Sequence, residues 1–479
     1  MNKKFRDPKA GLLLVGSPRF RNLGEGLSRG TYSDRQALKV QSIIGELEKS
    51  MELVFPGIVY ETDEMNKAMK LFFTEEVDFV IAEFMSWSED FAWVRFMRDM
   101  PEIPIIFVNP AKDKMTFENT LDEDDFIDFL CSGTLVGSLE ASGSVPRNNR
   151  KNVHVVVGSR SEVTEKIISF SKAAWVKAVL KDAKVGLLAN YNSLMWSTYI
   201  DPYNLFSRIG PEMRVISYNT FADEIAEVTD ADTKAYQDEL TANYQIMDDV
   251  EMDKFTPSVR ASLALARLTE KLDIDAMIFN DLEHTMFKLV GLRPGFYHPS
   301  LNKNKSVLVP EADVGAGLIT FILKLISGKH VNFVEPFHIE AADNTFAGGH
   351  AGPNDHTDPN FVKNVKIARD VRFAKTNYKY AGAPFAWYRI APGRKTMVQL
   401  AENSGVYKLV CTLVDSLEGD HILASYSHTI FRPVVPVKEL FEKIIKIGTT
   451  QHFAVADGDY RAELKIFAEI MGFEYYEIV

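Results

Sequence analysis

The chain has 479 residues, 46% of them apolar and 25% charged, with a formal net charge of -12. That length suggests two to four domains and large buried cores. The acidic balance argues against a nucleic-acid footprint, which needs clustered Lys and Arg.

The only cysteines, Cys131 and Cys411, are far apart and sit in apolar runs. They make neither a disulfide framework nor a CxxC metal pair, which fits a reducing cytoplasm. The early run "GLLLVG" is too short for a signal h-region, and "AGLITFILKLISG" is interrupted by Lys324 and too short to span a bilayer. The expectation is a soluble cytoplasmic protein with no membrane partner.

The first part alternates strands and helices. "GLLLVGS" (11–17) reads as a buried strand, and the helix after it has Ala37, Val40, Ile43, Ile44 and Leu47 in 3.6-residue spacing, with Ser33 as its expected N-cap. "ELVFPGIVY", helices near 63–75 and 88–99, "VDFVIAEF", "IPIIFVNP", "VHVVVGSR" and a long helix from Ser161 complete a β-α-β pattern. A second α/β unit starts at "AKVGLLANY". It includes the polar stretch 229–250, a helix with Thr256 as N-cap and Pro257 at its first position, and the strand "DAMIFND". "SVLVPEADVGAGLITFILKLISG" predicts a strand, an acidic turn and a helix ending at Gly328.

After Gly328 short β-rich runs dominate: "VNFVEPFHIE", "VKIARDVRF", "GRKTMVQLAEN", "VYKLVCTLV" and "HTIFRPVVPV". The end reads as helix, turn, helix, strand. The predicted fold is two doubly wound Rossmann-like α/β domains followed by a β-rich, antiparallel barrel-like domain, with boundaries 1–182, 183–330 and 331–479.

Nine of the ten histidines fall between His284 and His452. Imidazole titrates near neutrality and ligates metals, so the chemistry is expected in this part. Glu311 and Asp313 stand between an apolar strand and a helix, where ligands collect in α/β sheets and where a helix N-terminus also favours acids. Glu335 sits on a mostly apolar strand, a costly place for an unpartnered carboxylate. His350 follows a Gly-Gly pair. Regular alternation turns His338 and Glu340 away from Glu335. His452 follows a Gly-Thr-Thr turn. In "NDLEHTM", Asn280, Asp281, Glu283 and His284 end a strand and could line a pocket; Asp355 and His356 lie in a Gly/Pro/Asp loop expected to be solvated.

Taken together, Glu311, Glu335, His350 and His452 resemble the ligand set of the L-arabinose isomerase/L-fucose isomerase superfamily, on the L-arabinose isomerase side. The segments "EADVGAGLITFILKLIS", "FVEPFHIEAADNTFAGGH" and "GTTQHFAVADGDYRAELKIFAEIMGFEYYEI" carry the resemblance. It implies a metal-dependent aldose–ketose isomerase acting on an L-arabinose- or L-fucose-like sugar through an enediol. Mn2+ or another divalent cation would be held by Glu311, Glu335, His350 and His452, a mixed O/N set that Mn2+ accepts. Glu311 and Glu335 would also be the acid/base pair, and His338 and Glu283 would contact substrate. The family implies a homo-oligomer, a trimer or hexamer, with sites at subunit boundaries. Gln451-His452 replaces the paired histidines common in that family, and "PFHIE" replaces its aromatic-rich run, so the sugar is left open. A sugar-binding or regulatory protein without turnover on the same scaffold is the alternative.

Overall fold

The computed structural model describes residues 3–112, 114, 121–286, 294–372 and 382–479. The chain forms two compact units, Met1–Val179 and Leu180–Val479. The first is built on a parallel sheet of β1 (Lys9–Val15), β2 (Glu52–Val54), β3 (Ile58–Val59), β4 (Phe79–Phe84), β5 (Ile105–Ala111) and β6 (Val153–Ser159). The order is β2-β1-β4-β5-β6, with β3 also on β1. β4 is buried along its whole length and β1 from Ala10 onward, which is why both read as unbroken apolar runs.

The helix after β1 spans Tyr32–Leu47, and its N-cap is Thr31 rather than Ser33. Thr31 Oγ1 accepts from Asp34 N at 3.2 Å and the Asp34 carboxylate accepts from Thr31 N at 2.8 Å. This reciprocal box satisfies two helix-end donors at once, which a Ser33 cap could not do with Asp34 as its neighbour.

The second unit holds a parallel sheet of β7 (Lys184–Leu188), β8 (Glu212–Ile216), β10 (Ala276–Phe279) and β11 (Val307–Val309), in the order β11-β10-β7-β8. The polar stretch 229–250 folds as a helix, Asp230–Asn243, and the two-residue strand β9 (Gln245–Ile246). The helix expected from Thr256 begins earlier, at Met252, and contains Pro257. Pro257 is tolerated because it deprives only the first-turn carbonyl of Asp253 of its partner. Thr256 Oγ1 instead donates to Gln237 at 3.0 Å.

The rest of this unit is mostly antiparallel β: β12 (Val331–Glu340), β13 (Thr345–His350), β14 (Val362–Arg369), β15 (Pro384–Ile390), β16 (Gly393–Asn403), β17 (Val406–Ser416), β18 (Ser427–Pro433), β19 (Phe453–Asp457) and β20 (Glu474–Ile478), with β20 parallel to β17, β15 parallel to β18 and β14 parallel to β9. Phe373, the last residue of the run expected to hold β14, lies outside the described residues. The ring β17-β16-β19-β12-β13-β18 closes through pairing of β17 with β18, so the fold is a mixed α/β structure with two parallel sheets and an antiparallel barrel. β19, expected as a turn, is a barrel strand buried from Phe453 to Ala456. Regular alternation fails in β12, where the register shifts between Pro336 and His338. Proline cannot donate to a ladder, and the resulting bulge brings His338 and Glu340 back to the side of Glu335.

The helix Val314–Ser327 is buried on almost every side and packs against β10 and β11 as well as β12, β16 and β19. Glycine permits this. A Cβ on Gly315 would meet Leu400 O at 2.2 Å, and one on Gly317 would meet the Ile278 side chain at 2.6 Å. Among the described residues no helix is long and apolar enough to cross a membrane. Gly315→Ala should therefore destabilise the protein by about 2 kcal/mol or more by forcing the helix off the barrel. Gly45→Ala, in an open helical position, should be neutral or stabilising. Denaturant unfolding of the two variants checks this, and equal midpoints would refute the close-approach role.

Candidate metal centre

Glu311 lies two residues beyond β11, at the carboxyl end of the second parallel sheet. It and Ala312 both have left-handed backbones, with φ of 65° and 57°. Such conformations cost about 1–3 kcal/mol each in residues with a Cβ and persist only when held. The hold comes from neighbouring strand ends. Asp281 Oδ1 accepts from Glu311 N at 3.0 Å, Phe279 O accepts from Ala312 N at 3.2 Å, and Asn192 Nδ2 donates to Glu311 O at 3.4 Å. The turn aims the Glu311 carboxylate at two histidines.

His350 ends β13 and His452 immediately precedes β19; both are fully buried. His350 Nδ1 lies 2.6 Å from Ala351 O, so Nδ1 carries the proton and donates. His452 Nδ1 lies 2.9 Å from Asp313 Oδ2. In each neutral ring the lone pair is then on Nε2. The two Nε2 atoms face Glu311, at 3.4 Å for His350 and 3.3 Å for His452. Both are buried, and while the rings are neutral neither has a hydrogen-bond partner. Donor atoms of Glu311, His350 and His452 lie within 4.8 Å of one another. The Phe333 ring, 4.5 Å from each imidazole, fills the space behind them.

Two lone pairs and a carboxylate converging in a dry pocket repel one another unless a cation or a proton lies between them. A divalent cation fits this set, since each ligating nitrogen is already oriented by a hydrogen bond on its far side. Without a cation, a proton serves. Burial alone lowers the His452 pKa, but hydrogen bonds to Asp313 and Glu311 overcome it and raise the imidazolium to about 9. Burial likewise raises the Glu311 carboxyl, and the two histidines outweigh it and hold the group far below its ordinary range.

The structure thus brings Glu311, His350 and His452 together. Glu335 stands at the margin, its Oε2 4.0 Å from His452 Nε2 and its side chain 22% exposed. His338 is exposed despite sharing Glu335's side of β12. Glu283 is half-buried, accepts a hydrogen bond from Thr285 N, and adds to burial in raising the Tyr218 phenol pKa. His330 and the loop residues Asp355 and His356 are buried, not solvated. Asp355 Oδ2 is 3.2 Å from His330 Nδ1.

Residues outside the expected ligand set also shape the centre, among them Asp313 and Asp281, which the sequence offers as a candidate ligand or acid/base and as a possible pocket-lining residue. Asp313 caps the helix through Ala316 N at 2.9 Å and takes Thr450 Oγ1 at 3.0 Å besides His452. Asp281, Asn192 and Phe333 complete the support. The acidic helix head was the visible signal for Asp313; nothing local marked Asn192. No family model and no curated protein matches the chain.

Two predictions follow the electrostatics. His452, raised from 6.5 to about 9, contributes stability fully below pH 6.5 and loses it as pH rises through 9. Glu311, depressed from 4.5, contributes above that value and loses its share as pH falls. With chelator present, stability should peak between these limits and drop by roughly 1–3 kcal/mol toward pH 9. Saturating Mn2+ should displace the proton and restore it. Thermal unfolding across pH reads both effects, and a flat chelated profile from pH 6.5 to 9 would remove the shared proton. Separately, Asp313→Asn should weaken cation binding by about 10–100-fold in a direct titration, because it disturbs the His452 tautomer and orientation; unchanged affinity would count against that role.

Proposed function

We propose that this protein is a divalent-cation-dependent aldose–ketose isomerase of the L-arabinose/L-fucose isomerase kind. The observation that carries the reading is the pair of buried, unpartnered Nε2 atoms of His350 and His452 converging on Glu311, with Glu335 at the open edge. These are the four positions whose chain order resembles that superfamily. The reading brings its other expectations: two doubly wound domains ahead of the barrel, Mn2+ as cation, a cytoplasmic homo-oligomer, and an L-arabinose- or L-fucose-like sugar.

The cation, when bound by Glu311, Glu335, His350 and His452, supplies the positive charge that polarises the sugar carbonyl. The protein supplies the proton transfers. Glu335, partly exposed and facing His452 at 4.0 Å, is placed to take a proton from C2 of an aldose and return it to C1. Glu311 is pinned by its backbone hydrogen bonds and held ionised by the two imidazoles. It serves the opposite side, where the O1 and O2 protons exchange as the enediol forms and collapses. Asp313 holds His452 as a neutral donor so that its Nε2 faces the substrate side. Phe333 excludes water from behind the two rings.

Incubation with Mn2+ and a panel of L- and D-aldoses should yield ketose. Glu311→Gln and Glu335→Gln should each lower turnover by at least ~10²-fold. Wild-type-like turnover in either variant would refute the assigned acid/base roles. A protein that binds cation and sugar but forms no ketose would be a sugar-binding protein instead.

A further inference from the structure

A second concavity lies away from the metal ligands. It is a cleft of about 610 Å³, inside the size range of small-molecule sites. The far ends of three elements form its walls. The helix Val314–Ser327, about 20 Å long, starts at the Asp313 cap and reaches the cleft at Lys324 and Leu325. β12 starts at the cleft, just after His330, and runs to Glu335 and beyond. β19 follows His452 and ends at the cleft with Asp457. The cleft and the metal centre therefore occupy opposite ends of the same helix and strands. None of Glu311, Glu335, His350 and His452 lines the cleft.

Its charge runs against that of the whole chain, whose formal net charge is -12. Lys305, Lys324 and Lys329 line it, with Asp358 and Asp457 as the acids. Asp457 is already ion-paired with Lys395, whose side chain is buried. Lys324 Nζ donates to Asn302 Oδ1 at 2.6 Å and to Ser306 O at 3.0 Å, and its charge is shared with the buried Asp355 behind the wall. Burial raises the Asp355 carboxyl, and the charges of His330 and Lys324 outweigh it and hold the group below its ordinary range. Four lysines thus face three aspartates. The excess sits on Lys305 and Lys329, against Asp358, whose Oδ1 accepts from Asn360 N at 2.9 Å. Lys329 Nζ also donates to Asp457 O at 3.3 Å, a neutral carbonyl that leaves its charge unanswered. An ammonium is a compact charge on a flexible stem, so two of them can follow an anionic group within a cleft of this width. Leu325 and Phe361 give the same cleft an apolar wall. That favours a ligand with a carbon skeleton over a bare inorganic ion.

We propose that this cleft is a second ligand site, separate from the metal centre, for a small organic anion whose carboxylate or phosphate oxygens meet Lys305 and Lys329. The cavity and its excess of lysines carry the assignment, and neither depends on the isomerase reading.

The test uses the full chain, stripped of metal on a chelating resin so that no anion is held by a cation. It is titrated calorimetrically with succinate, glycerol 3-phosphate, inorganic phosphate and, as the uncharged control, glycerol. Succinate or glycerol 3-phosphate should bind with a Kd below about 1 mM, and glycerol should not. Which of the two binds tells a carboxylate ligand from a phosphate one. Lys305→Gln combined with Lys329→Gln should weaken that binding at least about tenfold, and added NaCl should weaken it in the unaltered chain. Lys329→Gln alone, at an exposed position, should weaken it in the same direction and serves if the double variant does not fold. Glu311→Gln should leave it unchanged, because Glu311 lies at the other end of the helix. The proposal is overturned if neither organic anion binds, if inorganic phosphate binds as tightly as both, or if the lysine variants bind as the unaltered chain does. Loss of binding in Glu311→Gln would place the anion at the metal centre and overturn it too. Ketose formation is not read, so failure of the isomerase reading leaves this outcome standing on its own.

Discussion

The carboxylate of Asp313 is the interaction on which the centre depends. It is fully buried, and its two oxygens face different parts of the fold. Oδ1 caps the helix Val314–Ser327 through Ala316 N, while Oδ2 takes both Thr450 Oγ1 and His452 Nδ1. Thr450 is itself held by Gln399 from β16. One side chain therefore joins the end of the second parallel sheet, the N-terminus of the buried helix and the entry to a barrel strand. A helix N-terminus stabilises negative charge, which offsets part of the cost of burying this acid. Its remaining charge is answered by the imidazole.

That arrangement decides the chemistry available on the other side of the ring. A carboxylate on Nδ1 leaves Nε2 as a lone pair and makes it more basic. His350 is treated the same way by a backbone carbonyl, a weaker partner. The two imidazoles are thus unequal. His452 takes the shared proton when no cation is present, and it is the stronger donor when one is. Glu311 completes the set only because its turn is left-handed, and Asp281 and Asn192 hold that turn. Two acids and two histidines packed at this depth would be a liability in a purely structural core, where apolar residues of the same volume serve as well or better.

Much of the architecture was legible from local pattern. Apolar runs at β1, β4 and β10 and the glycine-ended helix Val314–Ser327 are dictated by burial on both faces, and burial shows directly in composition. Thr31 is the cap, rather than Ser33, because the partner acid sits three residues after Thr31. β19 reads locally as a turn, since its run of small apolar residues is short and flanked by polar ones; only pairing with β12 and β16 makes it a strand. The Pro336 bulge is a property of the pair β12–β13, and it reverses the alternation drawn for β12 alone. Glu311, His350 and His452 could be singled out only as a set, because each by itself reads as an ordinary helix cap or core histidine. Asp281 and Asn192 act through backbone groups of a distant turn, which no local pattern records.

The contrast between the two glutamates follows from where the strands put them. Glu311 faces the two Nε2 atoms from the sheet end, its backbone fixed on both sides and its carboxylate enclosed. Glu335 sits on a strand that is buried up to Val334 and opens to solvent from that residue onward. A group that must exchange protons with a substrate needs access, and a group that must hold a charge in place needs enclosure. In the proposed reaction the barrel strand gives Glu335 that access, and the sheet end fixes where the Glu311 carboxylate meets the substrate. The bulge one residue after Glu335 sharpens this division, since it bends β12 away from the core where an acid useful for chemistry has to remain half in water.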